Sequence, residues 1–214
     1  MLARYAKAFF NRLLTPIARG LLAVGVGPDV ITWLGTIGVV VASFTLFARG
    51  HLLAGSLVVA ALVFADTLDG TMARLSGRSS TWGAFLDSTL DRVADASLFA
   101  ALALWFAGGG NDQVLLVVSL VCLMGGGVVS YAKARAEGLG LTCNVGIAER
   151  SERLVLALAS AGFAGLLNRP AILAVGLWVL AVATVFTVGQ RMLEVHRQAV
   201  LAEQALSSGS KDAR

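Results

Sequence analysis

Long apolar blocks are the feature of this sequence that most limits the folds open to it. They run for about 18–25 residues, the length an α-helix needs to cross roughly 30 Å of hydrocarbon. Over the whole chain 57% of residues are hydrophobic and 14% are charged, whereas an average soluble domain is about 45–50% apolar and about 25% charged. The sequence therefore predicts an all-α integral membrane protein.

Six transmembrane helices are expected, after an N-terminal interfacial amphipathic helix. In residues 2–14 the apolar side chains share one helical stripe and most cations lie away from it, although a helix packed on the bundle gives the same pattern. We expect a single domain with an interfacial segment (1–27), a six-helix bundle (28–193) and a cytoplasmic tail (194–214). The predicted spans are Asp29–Phe47, Leu52–Arg74, Trp82–Ala107, Val114–Ala136, Arg150–Leu167 and Ala171–Met192.

The distribution of basic residues predicts how these spans are oriented. All but Arg49 and Arg169 of the 17 lysines and arginines fall on the side that also holds both termini. Because short cytoplasmic segments are enriched in lysine and arginine, we expect both termini and this face of the bundle to be cytoplasmic in a multi-pass protein of the cell (inner) membrane. Cys122 and Cys143 give no disulfide framework.

Four aspartates interrupt the apolar sequence at two span ends. Asp66 and Asp69 lie near the end of the second span, and Asp87 and Asp91 near the start of the third. Spacings of three and four place each pair on one helix face, and the short turn between the spans can bring the pairs together. Each aspartate in a span costs about 2.5–3.5 kcal/mol by insertion scales. A divalent cation would offset that cost, and oxygen ligands without histidine or cysteine favour Mg²⁺ or Mn²⁺.

Two glycines and an arginine accompany the aspartates. Gly70 and Gly83 suit a ligand that approaches the helix backbone closely, and Arg74 carries a fork of donors for a phosphate. The alternative is that the aspartates cap helices or pair with Arg74 and Arg92 at the membrane surface. Four carboxylates at matched spacing beside these glycines favour a metal and phosphate site.

The stretch from residue 66 to 91 fits the pattern D-x2-D-G-x2-A-R-x8-G-x3-D-x3-D at every fixed position. It resembles the signature of the CDP-alcohol phosphotransferases. The resemblance implies a homodimeric enzyme that transfers a phosphatidyl group from CDP-diacylglycerol to an alcohol and releases CMP. It further implies two Mg²⁺ ions, or Mn²⁺, held by Asp66, Asp69, Asp87 and Asp91, with Asp91 as the general base. None of the fixed positions of the motif is a serine, cysteine or histidine that could act as a nucleophile, so we expect direct transfer without a covalent intermediate.

By the same resemblance, one further stretch and three residues of the motif region bind the CDP-lipid. Residues 28–32, PDVIT, are similar to the nucleotide-contacting entrance of the first span in this family. The residues implied in CDP-lipid binding are Asp29, Val30, Ile31, Thr32, Gly70, Arg74 and Ser80.

Cations at three further span ends bear on the acceptor alcohol. They would suit an acceptor that has its own phosphate, although positive-inside topology also places cations there. The stretches SYAKARAEGLGL and IAERSERL resemble the actinobacterial phosphatidylinositol phosphate synthases, whose acceptor is inositol 1-phosphate. That likeness implies an acceptor-phosphate site of Ser130, Lys133, Arg153 and Arg191, and it leaves the roles of Arg135 and Arg150 open.

Two other functions and two local features stay open at this stage. Phosphatidylglycerophosphate synthases, which use glycerol 3-phosphate, commonly continue the motif as D-P-x-A-D-K, whereas this chain has Ser88 and Arg92 at the proline and lysine positions. A metal-ion transporter is a further alternative, but it should place its acids near the middle of several spans, whereas these aspartates lie near the ends of two. Asp95 could bind acceptor hydroxyls or neutralise an arginine, and Gly125, Gly126 and Gly127 favour close helix packing. Nothing indicates a nucleic-acid partner.

Overall fold

A computed structural model of the chain describes the backbone of residues 15–76 and 80–212, and their side chains except 66–71, 73–76, 203 and 205–212. Residues 15–23 are helical, and a 3₁₀ turn (Phe47–Arg49) joins the first two of the helices that follow. These are α1 Pro28–Leu46, α2 Leu52–Ser76, α3 Thr81–Ala107, α4 Gln113–Gly138, α5 Arg150–Leu167 and α6 Pro170–Asp212. The all-α prediction is confirmed for the described ranges, which contain no strand. The interfacial helix predicted at residues 2–14 lies outside them.

Each predicted span is a helix, and local chemistry explains where several of them begin. Pro28 starts α1, a position where its missing N–H leaves no hydrogen bond unmade. The Ser80 hydroxyl accepts a hydrogen bond of 2.9 Å from the Gly83 amide at the start of α3. Asp112 caps α4 by accepting from the amides of Val114 and Leu115 at 3.0 and 2.9 Å.

Three helices of the described chain are long and apolar enough to cross a membrane, namely Pro28–Arg49, Gln113–Gly138 and Pro170–Ala202. The charged side chains of the predicted site lower the apolarity of two others. Asp91, Arg92 and Asp95 lie within α3, and Arg150 and Arg153 lie in the first turn of α5. The chain is thus a helical membrane protein, and the count of six crossings stays a prediction.

The helices pack as a closed ring. Helix α1 contacts α2 and α3, α3 contacts α4, α4 contacts α6, α6 contacts α5, and α5 contacts α2. Glycines shorten two of these contacts, because a Cβ at Gly125 would lie 2.6 Å from the Thr184 methyl and one at Gly165 would lie 2.5 Å from the Leu53 amide. Close packing at Gly125 is therefore confirmed. Fully buried apolar side chains fill the interior: Phe47, Leu98, Phe99, Leu102, Leu173 and Leu177.

Helix α5 is short, and this positions the site. Its 18 residues span about 27 Å, whereas the 27 residues of α3 span about 40 Å. Arg150, the first residue of α5, contacts Asp91 and Asp95 in the middle of α3. Since α5 packs mainly on α2 and α6, its first turn reaches α3 across the interior of the ring.

The segment 139–149 connects α4 to this recessed start of α5, and α6 holds it in place. The Thr187 hydroxyl accepts hydrogen bonds from the amides of Ile147 and Ala148 at 3.2 and 3.1 Å. Farther along α6, the Gln198 side-chain amide accepts from the Thr142 amide at 3.0 Å and donates to the Thr142 carbonyl at 2.7 Å. We call residues 139–149 the strap.

Candidate active site

Helix α3 carries the described half of the aspartate motif. Asp87 is exposed, whereas the side chain of Asp91, one turn later on the same face, is only 15% exposed. Asp66 and Asp69 belong to the part of α2 whose side chains are not described. Among the side chains that are described, no three acidic, histidine or cysteine residues converge, because only two of the four predicted ligands belong to that set.

The two described carboxylates fit a divalent cation in their chemistry. Asp87 and Asp91 offer hard oxygen donors from one face of one helix, which is the ligand type that Mg²⁺ and Mn²⁺ prefer. Asp91 also borders a small cavity between the helices, with Thr36 of α1, Leu62 of α2 and Arg150 of α5 among its other lining residues. Asp91 therefore lies where α1, α2, α3 and α5 approach one another.

Two arginines, Arg150 of α5 and Arg92 of α3, contact the Asp91 carboxylate. Its Oδ1 is 2.7 Å from Nη2 of Arg150, and its Oδ2 is 3.7 Å from Nη2 of Arg92. Arg92 also donates a hydrogen bond to the hydroxyl of Ser130 on α4. One oxygen of Asp91 is thus closely paired, and the other has only a longer contact.

Asp95, one turn deeper in α3, is shared between two arginines of α5. Its Oδ2 is 2.7 Å from Nη2 of Arg153, and its Oδ1 is 3.3 Å from Nε of Arg150. Cations in the first turn of a helix face the positive end of the helix dipole, so Asp91 and Asp95 supply the compensating charge. Of the two roles left open for Asp95, the structure has it neutralising arginines.

The residues predicted to hold the acceptor phosphate gather at this end of the ring. Ser130 donates to the Gly126 carbonyl at 3.0 Å, and Arg153 reaches the same carbonyl at 3.4 Å. Lys133 lies one turn beyond Ser130 on α4, partly exposed and 4.0 Å from the Glu137 carboxylate. The structure therefore brings Ser130 and Arg153 together and leaves Lys133 nearby.

Arg191 approaches from α6 and is almost completely buried. It donates to the carbonyls of Val129 on α4 and Val145 in the strap, and its Nη2 is 3.4 Å from the Glu149 carboxylate. Arg191 thus carries a positive charge beside Ser130 and fixes the strap at the same time.

The predicted entrance of the CDP-lipid lies against the start of α3. A Cβ at Gly83 would be 3.8 Å from Oδ1 of Asp29 and 3.3 Å from Oγ of Ser80, so Gly83 leaves room where α1 and α3 begin. The Thr32 hydroxyl is buried and donates to the Pro28 carbonyl at 3.2 Å.

The other predicted lipid contacts divide between the surface and the undescribed side chains. Val30 is exposed on α1, and Ile31 is partly buried beside it. Gly70 and Arg74 belong to the ranges 66–71 and 73–76 of α2, whose side chains are not described.

Sequence reasoning missed two participants in the network and named a third only as an alternative. Arg150 was left open and Gly126 was assigned to helix packing, whereas Arg92 was named as a partner of the aspartates in the alternative to a metal site. A Cβ on Gly126 would overlap the Arg153 guanidinium, so this glycine makes room for a charged side chain. Two arginines in the first turn of a helix were the available signal, because that position needs nearby anions.

Comparison with known proteins identifies the family. The CDP-alcohol phosphatidyltransferase family matches residues 26–189, from the start of α1 into α6. The chain belongs to this family. The resemblance inferred from the aspartate motif is therefore confirmed, and the chain is a CDP-alcohol phosphatidyltransferase.

Similar members of the family share one name. The chain is 50% identical over 214 residues to the phosphatidylinositol phosphate synthase of Streptomyces avermitilis, which covers 97% of this chain and 88% of the relative. The crystal structure of Mycobacterium tuberculosis phosphatidylinositol phosphate synthase with CDP-DAG bound has 47% identity and a TM-score of 0.84, over 86% of this chain and 94% of that one. The same enzyme in complex with manganese and citrate gives a TM-score of 0.82 at 47% identity, over 85% of this chain and 88% of that one.

Proposed function

We propose that this CDP-alcohol phosphatidyltransferase transfers the phosphatidyl group of CDP-diacylglycerol to inositol 1-phosphate, giving phosphatidylinositol phosphate and CMP. The observation that carries the proposal is the position of Arg150 beside Asp91 and of Arg153 beside Asp95, one turn deeper in α3. An acceptor that bears its own phosphate needs cationic donors next to the reacting centre, whereas a neutral alcohol does not. The names of the similar synthases support the same acceptor.

In this proposal two divalent ions, either Mg²⁺ or Mn²⁺, are bound by four carboxylates: Asp66, Asp69, Asp87 and Asp91. When bound, such ions neutralise the negative charge of the diphosphate that is attacked. The manganese in the similar Mycobacterium tuberculosis structure supports a divalent ion. Asp87 and Asp91 supply the oxygen donors from α3.

The CDP-lipid is held by the entrance of α1 and by the motif. The proposed contacts are Asp29, Val30, Ile31, Thr32, Gly70, Arg74 and Ser80. The proximity of Asp29 to Gly83 and Ser80 supports a common binding surface of the first turns of α1 and α3.

The acceptor lies on the other side of Asp91. Four residues hold its phosphate: Ser130, Lys133, Arg153 and Arg191. Asp91 accepts the proton of the acceptor hydroxyl as general base. The hydroxyl oxygen forms a bond to the phosphorus of the phosphatidyl group, the bond from that phosphorus to the bridging oxygen breaks, and CMP leaves with its electron pair.

The membrane arrangement is part of the proposal. All six helices cross the membrane as one domain over residues 28–193, with both termini and the site at the cytoplasmic face of the cell membrane, and two copies form a homodimer. The distribution of basic residues supports this orientation.

One assay tests the acceptor. Purified protein in detergent with CDP-diacylglycerol and Mg²⁺ is offered inositol 1-phosphate, free inositol, glycerol 3-phosphate or serine, and CMP release is followed. We expect CMP with inositol 1-phosphate and not with free inositol, which is the matched control without the phosphate. CMP with glycerol 3-phosphate alone would refute the acceptor and leave the family assignment intact.

A further inference from the structure

A series of three ion pairs links Asp91, the proposed base, to Arg153, a proposed acceptor residue. Arg153 pairs with Asp95, Asp95 pairs with Arg150, and Arg150 pairs with Asp91 at 2.7, 3.3 and 2.7 Å respectively. Each of these three contacts joins a residue of α5 to a residue of α3.

The four side chains in this series of ion pairs differ in how deeply they are buried. The side chains of Asp95 and Arg153 are 8% and 3% exposed, whereas those of Asp91 and Arg150 are 15% and 26% exposed. Asp95 is therefore the buried member that both arginines share, and Asp91 and Arg150 form the more open end. Asp95 can therefore affect a bound substrate through Arg150 and Arg153, the two arginines that it pairs with.

Stability alone does not account for such a network. A buried ion pair recovers little more than the cost of removing its charges from water, and well-packed apolar side chains often do as well. The apolar core of the same helix is adjacent, with Leu98 and Phe99 fully buried. The charges at residues 91, 95, 150 and 153 thus fix the orientation of particular groups at a cost that apolar packing would avoid.

The geometry of Arg150 suits this orienting role. Its Nη2 lies 2.7 Å from Asp91, and its Nε lies 3.3 Å from Asp95 in an ion pair without hydrogen-bond geometry, so two different nitrogens of one planar group face the two carboxylates. A lysine ammonium has the same charge but presents it at one point, so it cannot hold two carboxylates in a fixed relation.

A second constraint acts on Arg153 from α4. Its Nη1 is directed to the Gly126 carbonyl at 3.4 Å, and the missing Cβ of Gly126 makes the space for its guanidinium. Arg153 is therefore held between Asp95 on one side and the backbone of α4 on the other, next to the Ser130 hydroxyl that uses the same carbonyl.

We propose that Asp95 and Arg150 form a positioning relay that fixes the acceptor-phosphate arginine Arg153 and the carboxylate of Asp91 in one relative geometry. The inference rests on the proposed function, because it assigns Arg153 and Asp91 their parts in the reaction. Asp95 and Arg150 themselves are positioning residues. Acceptor binding and proton acceptance are coupled through them, while the CDP-lipid contacts on α1 and the start of α3 are not.

Two substitutions test the relay in the full-length protein. Asp95→Asn removes the shared charge while keeping the side-chain shape, and Arg150→Lys keeps the charge while removing the fork. Each should raise the KM for the acceptor by about tenfold, the size expected for a weakened charge-assisted contact. Each should also lower kcat, since Asp91 loses its fixed orientation, and leave the KM for CDP-diacylglycerol within about twofold of wild type.

Matched substitutions elsewhere provide the controls. Asp112→Asn keeps a good helix cap at the start of α4, and Arg169→Lys changes an exposed arginine at the start of α6. Neither should change the acceptor KM. Thermal unfolding in detergent and a titration of Mn²⁺ by electron paramagnetic resonance, performed on the same samples, report on folding and on the metal site separately from turnover.

The possible outcomes separate the relay from a purely structural role. A lower melting temperature with unchanged KM and kcat per folded molecule would refute the relay, and so would equal increases in KM for both substrates. If Asp95→Asn does not fold, Arg150→Lys decides, because normal kinetics in that variant contradict the proposal. If wild-type protein uses glycerol 3-phosphate and not inositol 1-phosphate, the proposed function fails, and the relay is tested with the same variants on that acceptor.

Discussion

At the scale of single residues, Asp91 differs from Asp87 in its surroundings. Asp87 is exposed, whereas Asp91 is largely buried between Arg150 and Arg92 and borders the cavity toward α1. Asp91 alone thus faces both the proposed acceptor site and the interior of the ring. These surroundings suit a group that exchanges a proton with a bound acceptor.

The Asp91→Asn variant tests this assignment. The amide keeps the shape of the carboxylate and cannot accept the proton, so turnover should fall by a factor of about 10²–10⁴, the usual contribution of a general base. Binding of CDP-diacylglycerol, measured by calorimetry in detergent, should be largely retained. Substantial residual CMP release from the purified variant would refute the assignment of Asp91 as the general base.

Gly126 offers a steric test of the acceptor site. In Gly126→Ala the new methyl overlaps the Arg153 guanidinium, whereas in Gly127→Ala it meets nothing within 4 Å among the described residues. Both variants gain about 0.5–1 kcal/mol of helix propensity, so they differ mainly in the displacement of Arg153. We expect an acceptor KM raised by about tenfold in the first variant alone, equivalent to about 1.4 kcal/mol. Equal kinetic constants in the two variants would contradict the role of Gly126.

At the scale of helices and loops, the sequence predicted the helix ends that depend on the length of an apolar segment. The ends of α1 and α4 lie within a residue or two of the predicted spans, because a helix in a membrane ends where its apolar side chains end. Helix α6 continues to Asp212, well into residues 194–214, which the sequence indicated only as a tail. The contacts of Arg150 with α3 could not be predicted, because they depend on how far α5 is recessed within the ring.

One hydroxyl, that of Thr187, accepts two hydrogen bonds from the strap, and this gives a stability prediction. Thr187→Val keeps the side-chain shape but leaves the amides of Ile147 and Ala148 without their acceptor. An unsatisfied buried amide costs about 1–3 kcal/mol, so the melting temperature in detergent should fall. The control is Thr184→Val, one turn earlier, whose buried hydroxyl has no hydrogen-bond partner in the described part of the chain and whose loss should cost little. If both variants melt at the same temperature, Thr187 does not anchor the strap.

At the scale of the whole molecule, the order of helices in the ring explains the composition of the site. Helix α1 contacts both α2 and α3, so its first turn meets the start of α3, where Asp29 approaches Gly83. The sequence indicated that these segments bind one ligand only through the family resemblance, since residues so far apart along the chain share no local pattern. The meeting of the two aspartate pairs stays a prediction, because the side chains of Asp66 and Asp69 are not described.

The proposed topology also predicts on which side of the membrane particular exposed residues lie. Gln113, the first residue of α4, is exposed, and so is His196 in the C-terminal part of α6. If all six helices cross, these residues lie on opposite sides, with His196 in the cytoplasm. The native Cys122 and Cys143 are both buried, so a thiol reagent should leave the wild-type protein unlabelled and report only on an introduced cysteine.

We therefore expect a membrane-impermeant maleimide to label Gln113→Cys in intact cells and His196→Cys only in inside-out vesicles. The first result requires α3 to cross the membrane even though Asp91, Arg92 and Asp95 interrupt its apolar sequence. That crossing is tolerable because the charges face the interior of the ring and pair there with α5. Labelling of both positions from the same side would overturn the six-crossing topology, and with it the cytoplasmic site to which a soluble sugar phosphate must gain access.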